Sequence, residues 1–320
     1  MLAIRSMPSL RTLQLSNITS LDPEMLLGDQ RTEVSNNLEK ITLRGRVTYE
    51  HISLARLRRM GMAPAPSKIT CAEIYGHSCW YLNLLLRLLH EFPSPPTYFP
   101  CLKSLKVSYD EQEEDVMWDF IKRSAKTLET LEFRHMGEYN KYEHPVVTYH
   151  TPGKPVFSDW TMPVYYYYYT RCLSDFVALR NLKFRTGTGN SPRPREIIDL
   201  ILNVLDSTTP ACGLLSLEVN LDVMSLQPGV TSTLADPDVE SCWKRLEQML
   251  LGPHFPNLRS VKITIMVGRF YRELTRHRNR FSPAVSLEDN GGIAERTVPS
   301  LLACPRIDTS FIVTVHNLCI

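Results

Sequence analysis

Leu102-Lys103-Ser104-Leu105-Lys106-Val107 reads apolar, two residues, apolar, one residue, apolar, and this phrase decides the fold because the chain repeats it. The other instances are Leu10/Leu13/Leu15, Leu38/Ile41/Leu43, Pro66/Ile69/Cys71, Leu128/Leu131/Phe133, Leu179/Leu182/Phe184, Leu214/Leu217/Val219 and Leu258/Val261/Ile263. A unit this short cannot bury its own apolar face, so recurrence at intervals of tens of residues predicts stacked units that lean on one another. The spacing of two fits a strand: Leu13 and Leu15 turn inward, while Thr12, Gln14 and Ser16 face out.

Between these phrases the period changes. Segments 52–60, 79–92, 111–126, 194–206 and 238–251 carry apolar residues three and four apart and read as amphipathic helices. In 111–126 the apolar stripe is Val116, Met117, Phe120 and Ile121. Strand then helix, repeated, forces parallel strands, because the connections are crossovers rather than tight turns. The expected fold is therefore α/β, a degenerate leucine-rich-repeat solenoid with a curved parallel sheet and outer helices. The first two intervals, from Leu10 to Leu38 and from Leu38 to Pro66, fall within the 20 to 29 residues of such repeats, and the later ones, except that from Leu102 to Leu128, require insertions. The solenoid covers 1–268 with an inserted loop at about 136–170, which holds several prolines and five consecutive tyrosines from Tyr165 to Tyr169. Segment 269–320 is basic and irregular, and its last apolar stretch, 311–315, reads as a closing strand.

Composition narrows the functional classes. The 320 residues carry a formal net charge of +2, which gives no global argument for nucleic acid. Among the eight cysteines no two stand two to four residues apart, as a zinc knuckle needs, so reduced thiols in cytoplasm or nucleus are expected. The first eight residues include Arg5 and no apolar stretch of seven or more, unlike a secretory signal. Segment 80–92 contains Asn83, Arg87, His90 and Glu91, too short and polar to cross a bilayer, so no membrane role is expected.

No catalytic, cofactor or metal motif stands out. Gly187-Thr188-Gly189-Asn190 lacks the third glycine and the Lys-Ser/Thr of phosphate loops, and reads as a turn into the helix at Pro194. His135, His144 and His150 lack the spacing that puts two ligands on one helix face. No serine sits in a Gly-x-Ser-x-Gly elbow. The chain is thus read as a non-enzyme.

Met7-Pro8-Ser9-Leu10-Arg11-Thr12-Leu13, Phe99-Pro100-Cys101-Leu102-Lys103-Ser104-Leu105 and Phe255-Pro256-Asn257-Leu258-Arg259-Ser260-Val261 share a proline two residues before the first repeat position. This phrasing, with irregular repeat lengths, resembles the leucine-rich-repeat region of fungal F-box-like proteins over roughly residues 1 to 268. The resemblance implies a receptor that recruits substrates to a cullin-type ubiquitin ligase. An F-box stands N-terminal to the repeats in that family, whereas the first repeat here begins at Leu10, so a ligase adaptor is an expected partner only if an F-box lies upstream. Pro194 to Leu202 is similar to an F-box opening helix but sits where a repeat helix is due.

The outward strand positions point to a partner. Their second row reads Gln14, Thr42, Thr70, Lys106, Glu132, Lys183, Glu218, Lys262, and the alternating signs of the last five predict a ladder of paired charges. Over three outward rows Lys40, Arg44, Lys68, Lys106, Arg134, Lys183, Arg185 and Lys262 face only Glu132 and Glu218, an excess of six. Arg44, Arg134 and Arg185, in the third row and outside the ladder, are where an acidic or phosphorylated protein is expected to dock, with Lys106 and Lys183 beside them. In the tyrosine run Tyr166 and Tyr168 face outward as further candidates if Tyr165, Tyr167 and Tyr169 pack inward. The alternative is a nucleic-acid or phosphate-binding surface built from the tyrosines and the cluster Arg269, Arg272, Arg276, His277, Arg278 and Arg280.

Overall fold

The computed structural model describes residues 9–18, 37–45, 68–75, 99–109, 114–135, 173, 175–186, 194–206, 213–225, 237–271 and 290–319. They form an α/β fold around one nine-stranded sheet in which every pairing is parallel and spatial order equals chain order. The strands are β1 (Thr12–Ser16), β2 (Lys40–Arg44), β3 (Cys71–Tyr75), β4 (Ser104–Tyr109), β5 (Thr130–His135), β6 (Asn181–Thr186), β7 (Ser216–Ser225), β8 (Ser260–Tyr271) and β9 (Asp308–Cys319). Among the described residues the helices are α1 (Glu114–Arg123), α2 (Pro194–Asp206), α3 (Pro237–Leu251), α4 (Asn290–Thr297) and α5 (Pro299–Leu302). The expected helices at 52–60 and 79–92, and the loop at 136–170, lie outside the described residues.

One backbone device recurs at the starts of β1 to β7. The carbonyls of Arg11, Glu39, Thr70, Lys103, Glu129, Arg180 and Leu215 each accept two successive N–H groups of the next unit, as Lys103 does from Glu129 at 2.8 Å and Thr130 at 2.9 Å. A turn precedes several of the strands. Leu102, Leu179 and Leu258 donate their N–H to the carbonyls of Phe99, Phe176 and Phe255, and those three phenylalanines are buried. Pro100 and Pro256 sit second in their turns, where a fixed φ favours the bend. The strands β1 and β2 end alike, with Asn17 and Gly45 both at positive φ. The Asn17 N–H donates to the Arg44 carbonyl at 3.2 Å, and a side chain at Gly45 would strike the Asn17 amide.

The core lies between the sheet's apolar face and the helices. Ile41, Ala72, Leu105, Leu131, Leu182, Leu217 and Val261 form one buried row; Leu43, Ile74, Val107, Phe133, Phe184, Val219 and Ile263 form the next. Trp118 of α1 stacks on Phe133 at 5.6 Å, and Phe133 stacks on Phe184 at 5.5 Å. Phe120 and Ile121 of the expected α1 stripe are buried, with Trp118 beside them.

Two expectations need correction. The third unit is Ile69/Ala72/Ile74 rather than Pro66/Ile69/Cys71: Ala72 pairs with Ile41 and Leu105, Ile74 with Leu43 and Val107, and both are buried. An odd shift exchanges the two faces of a strand, so Cys71, Glu73 and Tyr75 turn outward. The alanine made the true phrase weakly apolar, while the cysteine completed a false one. At the other end, β8 runs through position 268 to Tyr271, so the boundary placed there falls inside a strand. The closing strand is longer than 311–315, covering Asp308–Cys319, and it joins the same sheet.

Candidate recognition face

Because side chains alternate along a strand, the face opposite the core carries three outward rows across β1 to β8. The first is mostly small and polar: Thr12, Lys40, Cys71, Ser104, Thr130, Asn181, Ser216 and Ser260. The second reads Gln14, Thr42, Glu73, Lys106, Glu132, Lys183, Glu218 and Lys262, and the third Ser16, Arg44, Tyr75, Ser108, Arg134, Arg185, Asn220 and Thr264. With Lys68 off the strand and Glu73 on it, the bases are Lys40, Lys106, Lys183, Lys262, Arg44, Arg134 and Arg185 against Glu73, Glu132 and Glu218. The excess is four, not six.

The second row is a chain of ion pairs. Lys106 Nζ reaches Glu132 at 2.9 Å, Lys183 Nζ reaches Glu218 at 2.8 Å, and Lys262 Nζ approaches Glu218 at 3.7 Å. The acid missed in the sequence extends it: Lys40 Nζ donates to Glu73 Oε1 at 2.7 Å, and the Tyr75 hydroxyl donates to Glu73 Oε2 at 3.1 Å. Lys106 and Lys183, expected as docking cations, are therefore held in pairs within the sheet.

Arg44 also differs from expectation. Its guanidinium stands 3.9 Å from Glu73 Oε2 and lies over the Tyr75 ring at 5.1 Å from the centroid, a pairing made by the residues that the corrected register turned outward. Arg134 and Arg185 are direct partners in the register of β5 and β6. Neither makes an ion pair among the described residues, and the Nε of each is shielded from solvent without a hydrogen-bond acceptor. Tyr166 and Tyr168 lie outside the described residues, as do Arg272, Arg276, His277, Arg278 and Arg280, while Arg269 falls on β8.

The pairs displace several protonation equilibria. The hydrogen bond to Glu73 raises the Lys40 ammonium above its ordinary 10.5. Burial pushes the Glu73 carboxyl upward, but the donors Lys40 and Tyr75 outweigh it and hold it below 4.5. The same opposition, burial against Lys183 and Asn220, leaves Glu218 below 4.5. Burial opposes the charge on Lys106, but the bond to Glu132 prevails and raises it above 10.5. Away from this face, burial and then the charge of Asp199 push the Cys242 thiol above 9.0, so it is no activated nucleophile.

A stability profile follows from these signs. Carboxyls lowered by folding stabilise above 4.5 and lose that contribution as pH falls through their folded values; groups raised by folding stabilise below their ordinary values and lose it as pH rises. The melting temperature is therefore expected to be flat between these limits, to fall on the acid side below 4.5, and to fall on the alkaline side from 9.0 upward, where Cys242 leads. Differential scanning fluorimetry of Glu73→Gln with Glu218→Gln should show a shallower acid limb; a limb unchanged from the parent would place its origin elsewhere.

Among the described residues no three His, Cys, Asp or Glu side chains gather as metal ligands, and no helix is long and apolar enough to cross a membrane. Cys71, Cys101, Cys242 and Cys304 are unbridged. The chain matches no family model and no curated protein.

Proposed function

We propose that this chain is a leucine-rich-repeat solenoid whose outward sheet face recognises a protein without catalysis. The observation that carries the reading is the carbonyl at each strand start that accepts two N–H groups from the next unit, repeated from Arg11 to Leu215. It supports a stack of equivalent units, and such stacks present a broad, pre-ordered sheet whose exposed side chains are free to suit a partner. Support for the outward face comes from its composition: three acids, each held by a lysine at 2.7 to 2.9 Å, and an excess of bases available to an acidic partner. The resemblance to fungal F-box-like proteins extends the proposal. The bound protein is then a substrate for ubiquitylation in cytoplasm or nucleus, and adaptor binding requires an F-box upstream of the repeats.

Site-specific photo-crosslinking tests the face. A photoreactive residue at Ser260 or Thr264, on the sheet, is expected to capture a partner in cells, whereas one at Lys244 or Gln248, exposed on α3, is not. Capture from α3 alone overturns the reading. Co-purification of a cullin adaptor with a gene product extended upstream of Met1 tests the ligase role, and its absence removes that role while leaving the face.

A further inference from the structure

Leu131-Glu132-Phe133-Arg134 on β5 and Leu182-Lys183-Phe184-Arg185 on β6 are the same tetrad with one change of sign, and they pair residue for residue. On the buried side Phe133 and Phe184 stack at 5.5 Å with planes 17° apart. Such a stack pins the register, because a slip of one residue in either strand would turn that strand's ring out of the core. On the outward side that register sets Arg134 directly beside Arg185, on strands about 4.8 Å apart.

Like charges placed opposite each other oppose sheet pairing, and among the described residues no acid makes an ion pair with either arginine. Two carboxylates of the second row beside them, Glu132 and Glu218, are bonded to Lys106 at 2.9 Å and to Lys183 at 2.8 Å. The third row continues on either side with Ser108 and Asn220, both uncharged. The Nε of each lacks an acceptor, and an Nε that water does not reach is costly to leave unbonded.

We propose that Arg134 and Arg185 form a two-arginine clamp for the phosphate monoester of a phosphorylated segment of the partner protein, an inference that rests on the outward sheet face being the recognition surface. A phosphate ester carries up to two negative charges and three free acceptor oxygens, enough to neutralise both guanidiniums and engage two planar forks at once. A single carboxylate neutralises one and leaves the repulsion half relieved. The guanidiniums swing to meet the ligand, and their shielded Nε donors gain acceptors in doing so.

The test uses the full chain with a degenerate peptide library built around a fixed phosphoserine, its unphosphorylated counterpart, inorganic phosphate and a single-stranded RNA oligonucleotide. The phosphorylated library should bind at least tenfold more tightly than the unphosphorylated one. Inorganic phosphate should raise the melting temperature relative to chloride at equal ionic strength. Both effects should vanish in R134Q/R185Q, whose own melting temperature should be no lower than the parent's because the repulsion is gone. R134K/R185K keeps both charges without the fork and should still lose most of the preference. R259Q, at an exposed strand start, should keep it. A missing phosphate preference, a preference that survives R134Q/R185Q, or one lost equally in R259Q overturns the clamp, as does RNA binding that depends on the pair without a phosphopeptide preference. If crosslinks from Ser260 and Thr264 persist while phosphate preference is absent, the clamp fails and the recognition face stands; crosslinks from α3 alone remove the face and the clamp with it.

Discussion

Leu131→Asp is expected to abolish the cooperative thermal transition of this protein. Leu131 is fully buried at the centre of the sheet, and its register partners Leu105 and Leu182 are buried with it. A carboxylate there meets only hydrocarbon, and leaving a charge unpaired in such a site costs several kcal/mol or forces protonation at nearly that cost. Lost packing adds about 2 to 5 kcal/mol, the range for truncating a buried leucine. The sum rivals the roughly 5 to 15 kcal/mol that holds a domain folded. β5 lies mid-sheet between β4 and β6, so damage there is expected to spread to both neighbours rather than remain local. Circular dichroism against temperature should show no transition for Leu131→Asp, while Leu131→Met, close in volume, loses less than about 1.5 kcal/mol. A melting temperature equal to the parent's would remove Leu131 from the core.

Glu247→Leu is expected to release the C-terminal elements, because this buried carboxylate serves as a cap from a distance. The first-turn N–H groups of a helix have no intrahelical partner, and Val298, at the N-cap of α5, supplies no side-chain hydrogen bond. Glu247 of α3 accepts the Leu301 N–H at 2.8 Å instead. Leucine fills a similar volume but leaves that buried N–H unsatisfied, at about 1 to 3 kcal/mol. Glutamine keeps an acceptor oxygen and should recover most of the loss. Hydrogen exchange provides the sharpest readout: Leu301 and its neighbours in α5 should lose protection in Glu247→Leu and regain it in Glu247→Gln. Protection unchanged in both variants would show that the contact does not hold α5.

The two predictions differ in how visible their residues were. Leu131 is legible because it belongs to a phrase whose period of two marks a buried strand row, with large apolar residues at every inward place. Glu247 carries no such mark. It reads as one more acid on an amphipathic helix, since its partner is a backbone N–H on another element 54 residues away. Glu73 and Tyr75 were missed for a different reason: Cys71 is apolar enough to complete a false phrase, and Ala72 too small to announce the true one. Only the pairing of Ala72 with Ile41 and Leu105 resolves the choice, and that correction gave Arg44 its neighbours.

Local periodicity belongs to the sequence, because which side of a strand or helix a residue occupies depends on its own spacing. It was enough for the α/β class, the parallel strands, the alternating charges of the second row and the helices at Pro194 and Pro237. Register and partnership belong to the tertiary structure, because they depend on which residue of a distant strand lies opposite. The sequence placed Arg44, Arg134 and Arg185 in one row as equals. Tertiary pairing separated them, setting Arg44 against Glu73 and Tyr75 and leaving Arg134 and Arg185 side by side, held there by the stacked rings on the other face of the same two strands.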